Sequence, residues 1–182
     1  MKTVLLNATT LPHYRSELAG LLIDAVASNA PPGYQQRKTY EEAESYFHSL
    51  RRDMAKGERL LWIARDAQGV TGSVQLEICQ KPDGQNRAEI QKLLVHPRAR
   101  RQGMAKMLMN ALESSAAELQ RGLLFLNTRA GSPAEAFYRA QGYHCIGEIP
   151  DYASSSDGYY HPAVIYYKKL FSVNQLIRSV AS

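Results

Sequence analysis

Cysteine is nearly absent from this chain: Cys79 and Cys145 are the two it has, far apart and without the spacing that metal ligands need. That excludes a disulfide framework and a zinc site, and no metal is expected. A reducing cytoplasm is the expected compartment. Long apolar runs are missing too, since none approaches the roughly 20 residues of a membrane span, and the one after Lys2 ends at Asn7. The chain is therefore expected to be soluble and unexported, with no membrane partner. It lacks zinc-finger spacing, an aromatic–basic RNA motif and a basic helix of useful length, so nucleic acid is not an expected partner. The formal net charge of +5, with acidic residues interspersed, suits an anionic ligand instead. Repeats and low-complexity stretches are also lacking.

What remains is a 182-residue chain, 45% hydrophobic and 21% charged, enough for one domain with an ordinary core. That domain is expected over 1–170, with 171–182 as a tail that suggests no chemistry. A short strand at 4–6 precedes a helix that Thr10 and Pro12 can start, with Leu18, Leu21, Leu22, Ala25 and Val26 on its apolar side and 29–33 ending it. Thr39 and Glu42 read as a capping box for a second helix reaching Gly57. Three antiparallel strands follow at 60–65, 70–80 and 88–95, joined by turn-forming residues at 66–69 and 81–85. A helix beginning near Met104 carries Met107, Leu108, Ala111, Leu112, Ala116 and Leu119 at helical spacings. The apolar run 123–128 must return through that helical crossover, parallel to the strand at 88–95. A short helix at 134–141 and strands at 143–149 and 164–170 complete an α/β fold, a mixed and mostly antiparallel sheet with a central parallel pair flanked by helices.

The chemistry concentrates after the strand at 88–95. His96-Pro97 breaks it, and Arg98-Ala99-Arg100-Arg101-Gln102-Gly103-Met104-Ala105 leads into the long helix. A strand feeding a basic, glycine-containing turn that opens a helix is built to hold phosphates. Backbone N–H groups of the first helical turn have no intrahelical acceptors, and the helix dipole places positive charge there. Gly103 and Ala105 keep the approach to the backbone open. Arg100, Gly103 and Ala105 at these spacings resemble the nucleotide-binding signature of the GNAT N-acetyltransferases, and the order of elements resembles theirs up to Leu170. The resemblance implies a GNAT fold and acetyl-CoA as acetyl donor, its pyrophosphate held by Arg100, Arg101, Gln102, Gly103, Met104 and Ala105. It also implies that backbone groups of Leu93, Leu94 and Val95 follow the pantetheine arm in a V-shaped slot. A bulge near Lys92-Leu93 would aim an N–H at the thioester carbonyl.

A second stretch, Ala134-Glu135-Ala136-Phe137-Tyr138-Arg139-Ala140-Gln141-Gly142-Tyr143, resembles the family's helix that ends in an aromatic-tyrosine pair, a glycine and another aromatic. The resemblance puts Tyr138 near the cofactor sulfur as proton donor to the leaving thiolate, with Ser132, just before the helix, as a further cofactor contact. Taken alone, the same tyrosine reads as a packed aromatic. An amine attacks a thioester only when neutral, so something must accept its proton. Glu89 stands at the offset from the glycine of the general base in histone-acetylating members, and it reads equally as a solvated carboxylate or a partner for Lys92 or Arg87. Glu77 is a weaker candidate, and water can relay the proton.

Runs at 79–89, 130–138 and 147–166 look like the tabtoxin-resistance group of the family, which acetylates the amine of an amino-acid-like β-lactam. That group has an aspartate, a proposed catalytic residue, where Asn127 stands here, and a carboxamide cannot take up a proton as a carboxylate does. Acceptor selection is expected from 33–40 and from a polar, aromatic loop at 151–161, read as a lid or as a hairpin loop without a role. His96 and His161 precede prolines and read as turn residues. No acyl-enzyme is expected, because neither cysteine has a histidine partner in its segment. The expected protein is an acetyl-CoA-dependent N-acetyltransferase for a small-molecule amine, a monomer or homodimer. Two rivals stand beside it: a non-catalytic acyl-CoA-binding or sensing domain, and an enzyme for protein N-termini or lysines with an open peptide groove.

Overall fold

The computed structural model describes residues 2–29, 38–155 and 157–174, so 33–37 of the expected acceptor-selecting segment 33–40, residue 156 of the expected loop 151–161 and 175–182 of the expected tail lie outside the described residues. The elements in chain order are β1 (Lys2–Leu6), α1 (Leu11–Ser28), α2 (Tyr40–Ser49), α3 (Arg51–Ala55), β2 (Arg59–Asp66), β3 (Gly69–Ile78) and β4 (Arg87–Val95). They continue as α4 (Met104–Glu118), β5 (Leu123–Arg129), α5 (Pro133–Ala140), β6 (His144–Ser154) and β7 (Tyr160–Lys169), with single 3-10 turns at Pro82–Gly84 and Pro97–Ala99. The sheet order is β1-β2-β3-β4-β5-β7-β6, and β4 with β5 is its parallel pair. This is the mixed, mostly antiparallel arrangement that the sequence predicts. Among the described residues, no helix is long and apolar enough to cross a membrane. The chain forms two compact units, Met1–Glu77 with Gln91–Leu112 and Ile78–Ile90 with Glu113–Ser182.

In the first unit, α1 starts because the Asn7 Oδ1 accepts the N–H of Thr9 at 2.9 Å and of Thr10 at 2.8 Å. Pro12 then sits in the first turn, where its missing N–H leaves nothing unpaired. The capping box on α2 is formed as expected: the Glu42 N–H donates to Thr39 Oγ1 at 3.1 Å, and the Thr39 N–H to Glu42 Oε2 at 2.9 Å. Leu11, Leu18 and Leu21 of α1, Phe47 of α2, and Leu61 and Ile63 of β2 share one buried cluster. Each such side chain stabilises the fold by about 1.5–3 kcal/mol when fully buried. The single helix expected to reach Gly57 is two. At Leu50 the N–H turns to the Phe47 carbonyl, three residues back at 3.2 Å, and this tightened turn separates α2 from α3.

The packing of α4 on β3 depends on Gly72. A Cβ there would lie 3.0 Å from Leu108 Cδ1, 3.1 Å from Met104 Cγ and 3.1 Å from the Leu94 carbonyl oxygen. The absent side chain lets the first turns of α4 and the end of β4 close on the strand. β3 itself is buried nearly throughout, including its polar Thr71, Ser73 and Gln75.

In the second unit, β5 pairs antiparallel with β7 from Leu123↔Lys169 to Arg129↔Ala163, and β6 pairs with β7. The parallel pairing of β4 with β5 comprises Arg87↔Leu123, Ala88↔Leu124 and Glu89↔Phe125. The segment 151–161, expected as a loop, is largely hairpin. β6 continues to Ser154 and β7 begins at Tyr160, so Ala153↔His161 and Ser154↔Tyr160 are paired strand. Asp151 adopts a left-handed conformation (φ 53) inside the register shift between Ile149 and Ala153, which absorbs the irregularity and lets pairing resume. The tip is closed by the Ser155 N–H on the Tyr159 carbonyl at 2.8 Å. His161 is accordingly a strand residue, 2.9 Å from an Arg129 guanidinium nitrogen, and not a turn residue.

Candidate active site

The turn between β4 and α4 folds around His96. Its Nδ1 accepts the Arg98 N–H at 3.2 Å, capping the 3-10 turn, and its Nε2 lies 3.1 Å from Asp24 Oδ2. The chain then alternates handedness: Arg101 (φ 60) and Gly103 (φ 77) are left-handed, with Gln102 between them. Alternating conformations of this kind converge successive backbone N–H groups on one point, a nest for an anion. The nest runs straight into α4, whose first turn adds unpaired N–H groups and the positive end of the helix dipole. A Cβ built on Gly103 meets nothing within 4 Å, so the approach to this backbone is open. Arg101 and Gln102 are exposed, and Met104 is buried as the anchor of the helix start.

The arginines divide in role. Arg98 is ion-paired with Asp66, which holds that carboxyl below its usual range. Arg100 donates to a neutral partner, Ser28 Oγ at 2.6 Å, and so keeps its charge uncompensated by that contact. Arg100 and Arg101 are thus the cations suited to a diphosphate. Leading to this turn, Leu93, Leu94 and Val95 are half-buried, and Lys92 is left-handed (φ 48) at the position where the resemblance implies a bulge.

In the second unit, α5 holds Tyr138 buried, packed edge-to-face against Phe137 at 5.3 Å and Tyr143 at 5.7 Å between ring centres. Burial pushes its hydroxyl well above the ordinary tyrosine range, so it keeps its proton at neutral pH. The helix is pinned by Glu135, whose carboxylate accepts the Tyr166 hydroxyl at 2.7 Å and the Gly131 N–H at 2.6 Å. Tyr143 donates to Glu113 at 2.8 Å, and Lys168 bonds the same carboxylate and the Gln141 carbonyl. Ser132 precedes α5 without capping it, and its Oγ is buried with no partner among the described residues. Asn127 is exposed on β5 opposite Ile165, and Glu89 is half-buried on β4 opposite Phe125.

The first unit also contains a polar cluster that the sequence reading missed, apart from Glu77. Arg59 donates to Gln75 and Gln91, each at 2.8 Å, and to Glu77 at 3.2 Å, while Gln91 Nε2 bonds Glu77 at 2.6 Å. Gln75 Nε2 reaches the Tyr46 hydroxyl at 3.1 Å. Lys92 and Lys38 bring their ammonium groups to 5.0 and 5.3 Å from the centre of the Tyr46 ring. Burial raises the Tyr46 hydroxyl, and burial, Lys38 and Arg59 together lower the Lys92 ammonium. The available signal was Gln75, a large amide in the middle of an otherwise buried strand.

Two observations, one in each unit, fit acetyl-CoA: an open backbone turn carrying Arg100 and Arg101, neither of them in an ion pair among the described residues, and a buried Ser132 hydroxyl with no partner among the described residues. Among the described residues, no group of three or more His, Cys, Asp or Glu could hold a metal ion. The profile of the acetyltransferase (GNAT) domain matches residues 15–152. Solved structures agree on the fold. A ribosomal-protein-alanine N-acetyltransferase from Brucella melitensis superposes with a TM-score of 0.72 at 20% identity, over 93% of this chain and 100% of that one. An N-acetyltransferase from Staphylococcus aureus gives 0.70 at 16% identity, over 94% and 100%. A Salmonella typhimurium protein described as an acetyltransferase, solved with its cofactor acetyl-CoA, gives 0.71 at 11% identity, over 94% and 95%.

Proposed function

The chain belongs to the GNAT acetyltransferase domain family, and from that premise we propose that it transfers the acetyl group of acetyl-CoA to the amine of a small molecule, with residues 1–170 acting as one catalytic domain. The observation that carries this reading is the left-handed pair Arg101 and Gly103 at the head of α4, a cradle of backbone N–H groups for a diphosphate. Bound acetyl-CoA supplies the activated acyl group as a thioester. Arg100 to Ala105 grip its pyrophosphate, Leu93 to Val95 guide the pantetheine arm, and Ser132 offers its orphaned hydroxyl to the cofactor.

Tyr138 is the proton donor. Its O–H is protonated at neutral pH, as a donor must be, although burial makes it a weaker acid than an exposed phenol. The neutral amine would add to the thioester carbonyl carbon to give a tetrahedral intermediate, whose collapse would break the C–S bond and leave the amide, with the phenolic proton going to the departing sulfur. The proton shed by the amine goes to Glu89, directly or through water, and Asn127 orients the acceptor by hydrogen bonding. The resemblance to the tabtoxin-resistance group makes amino-acid-like β-lactams the first acceptors to try. The unpaired thiols of Cys79 and Cys145 support a reducing compartment.

The test is a free-thiol assay of CoA release against amines, amino acids, amino-β-lactams and N-terminal peptides, run alongside CoA calorimetry. Tyr138→Phe is expected to lower kcat about 100-fold while leaving CoA affinity unchanged. Tight CoA binding with no turnover on any amine would favour a sensing domain instead. Turnover confined to peptides would favour the protein-acetylating rival.

A further inference from the structure

Strand β4 carries one residue more than the strand it faces. Backbone bonds join the His96 N–H to the Thr71 carbonyl at 2.8 Å and the Cys79 N–H to the Arg87 carbonyl at 3.4 Å. Between those two bonds the chain advances eight residues on the β3 side, from Thr71 to Cys79, and nine on the β4 side, from Arg87 to His96. One extra residue on one strand is a β-bulge, and it leaves a backbone N–H outside the ladder. Lys92, left-handed at φ 48, marks its place. A lysine does not take that conformation unprompted, so its surroundings impose it.

Those surroundings are the polar cluster of the first unit. Gln91, which precedes Lys92, is engaged at both ends of its amide: Oε1 accepts from Arg59 at 2.8 Å, and Nε2 donates to Glu77 at 2.6 Å. Arg59 stands on β2 opposite Glu77 of β3, so its guanidinium reaches across β3 to β4. There it is fixed in turn by Gln75 at 2.8 Å and Glu77 at 3.2 Å, with its side chain only 11% exposed. On the far side of the amide clamp, the Lys92 ammonium lies 5.0 Å from the centre of the Tyr46 ring of α2. Apolar side chains of similar volume would fill this space at no loss of stability. What the buried arginine and its amides add is a single geometry for the strand.

Resting on the acetyl-transfer reading above, in which the pantetheine arm runs along Leu93 to Val95, we infer that Gln91 and Arg59 are positioning residues: they hold the β4 bulge so that a backbone N–H released at Lys92-Leu93 donates to the thioester carbonyl oxygen. Neither side chain touches the cofactor. The N–H stabilises the negative charge that develops on that oxygen as the amine adds, and it does so best when the donor is in place beforehand.

The experiment is infrared difference spectroscopy of acetyl-CoA bound to the full chain, with the acetyl carbonyl unlabelled or labelled with heavy carbon, beside calorimetry with CoA. A hydrogen bond to the carbonyl lowers its stretching frequency. Gln91→Leu removes both amide bonds while Arg59 keeps Gln75 and Glu77, and it should shift the carbonyl band to higher frequency with CoA affinity unchanged. Arg59→Lys keeps the charge beside Glu77 but cannot span Gln75 and Gln91 together, and it should shift the band the same way, which serves if Gln91→Leu does not fold. Leu18→Ala, a cavity in the buried cluster of α1, should leave the band in place. An unshifted band in Gln91→Leu and Arg59→Lys, or an equal shift in Leu18→Ala, would overturn the inference. Failure of the unsubstituted chain to bind acetyl-CoA would sink the acetyl-transfer reading and this inference with it. A band that depends on Gln91 in a chain that turns over no amine would sink the catalytic reading alone and leave the positioning of the carbonyl donor standing.

Discussion

At Gly103 the backbone is left-handed (φ 77), and the space where a side chain would go is open. Those two facts separate what a substitution does to the turn from what it does to a ligand. Asparagine tolerates the left-handed region and carries no charge, so Gly103→Asn should hold CoA affinity within about tenfold. Gly103→Glu would place a carboxylate against the diphosphate in the proposed site, where like charges about 4 Å apart repel by roughly 4 kcal/mol at a surface-like dielectric. Its CoA affinity should fall by about 100-fold or more. Calorimetry on both folded variants checks this, and undiminished binding by Gly103→Glu would remove the nest from the site. The glycine was legible in the sequence because its type is diagnostic. Arg101 and Lys92 share its left-handed backbone but were not legible in that respect, because nothing in an arginine or lysine announces a conformation that only the surrounding fold imposes.

Helix α4 presents the nest, so its seat on β3 matters as much as the turn itself. Gly72 lets Met104 and Leu108 come within contact of the strand, and the added Cβ of Gly72→Ala would have to displace two side chains and the Leu94 carbonyl together. Overpacking of this kind costs about 1–3 kcal/mol. Urea denaturation should show that loss, and CoA affinity should drop with it, since Met104 begins the helix whose first turn is proposed to hold the phosphates. Full stability with normal affinity would mean that the helix and strand can part without consequence. Among the elements, those governed by local chemistry were legible: the Thr39–Glu42 capping box and the amphipathic α4 stand where the sequence put them. The extension of β6 was not. Its polar, aromatic sequence reads as loop, and only pairing with β7 across the bulge at Asp151 makes it strand.

For the whole molecule, the order of strands and helices followed from patterns within short windows, whereas the Tyr46–Gln75–Arg59–Glu77–Gln91 cluster draws on four separate elements. No window of sequence brings those residues together. The same long-range character governs how stability responds to pH. Tyr166 of β7 donates to Glu135 of α5, and the bond requires the phenol protonated and the carboxyl ionised. Folding therefore lowers the Glu135 pKa, chiefly through the Tyr166 hydroxyl and then the Gly131 N–H, and raises that of Tyr166, chiefly through Glu135. A lowered carboxyl contributes stability that is complete above its unfolded value, about 4.3, and is lost as pH falls through the folded one. A raised phenol contributes stability that is complete below its unfolded value, about 10, and is lost as pH climbs through the folded one. Asp66 and Asp157, both lowered by hydrogen bonds, add to the acid limb only. Thermal melts should thus stay level between about pH 5 and 9, decline on both sides, and decline less steeply in acid for Glu135→Gln, which has no carboxyl to protonate. An acid limb unchanged in Glu135→Gln would transfer that dependence to Asp66 and Asp157, and would mean that α5, with Tyr138 on it, is held by its aromatic packing alone.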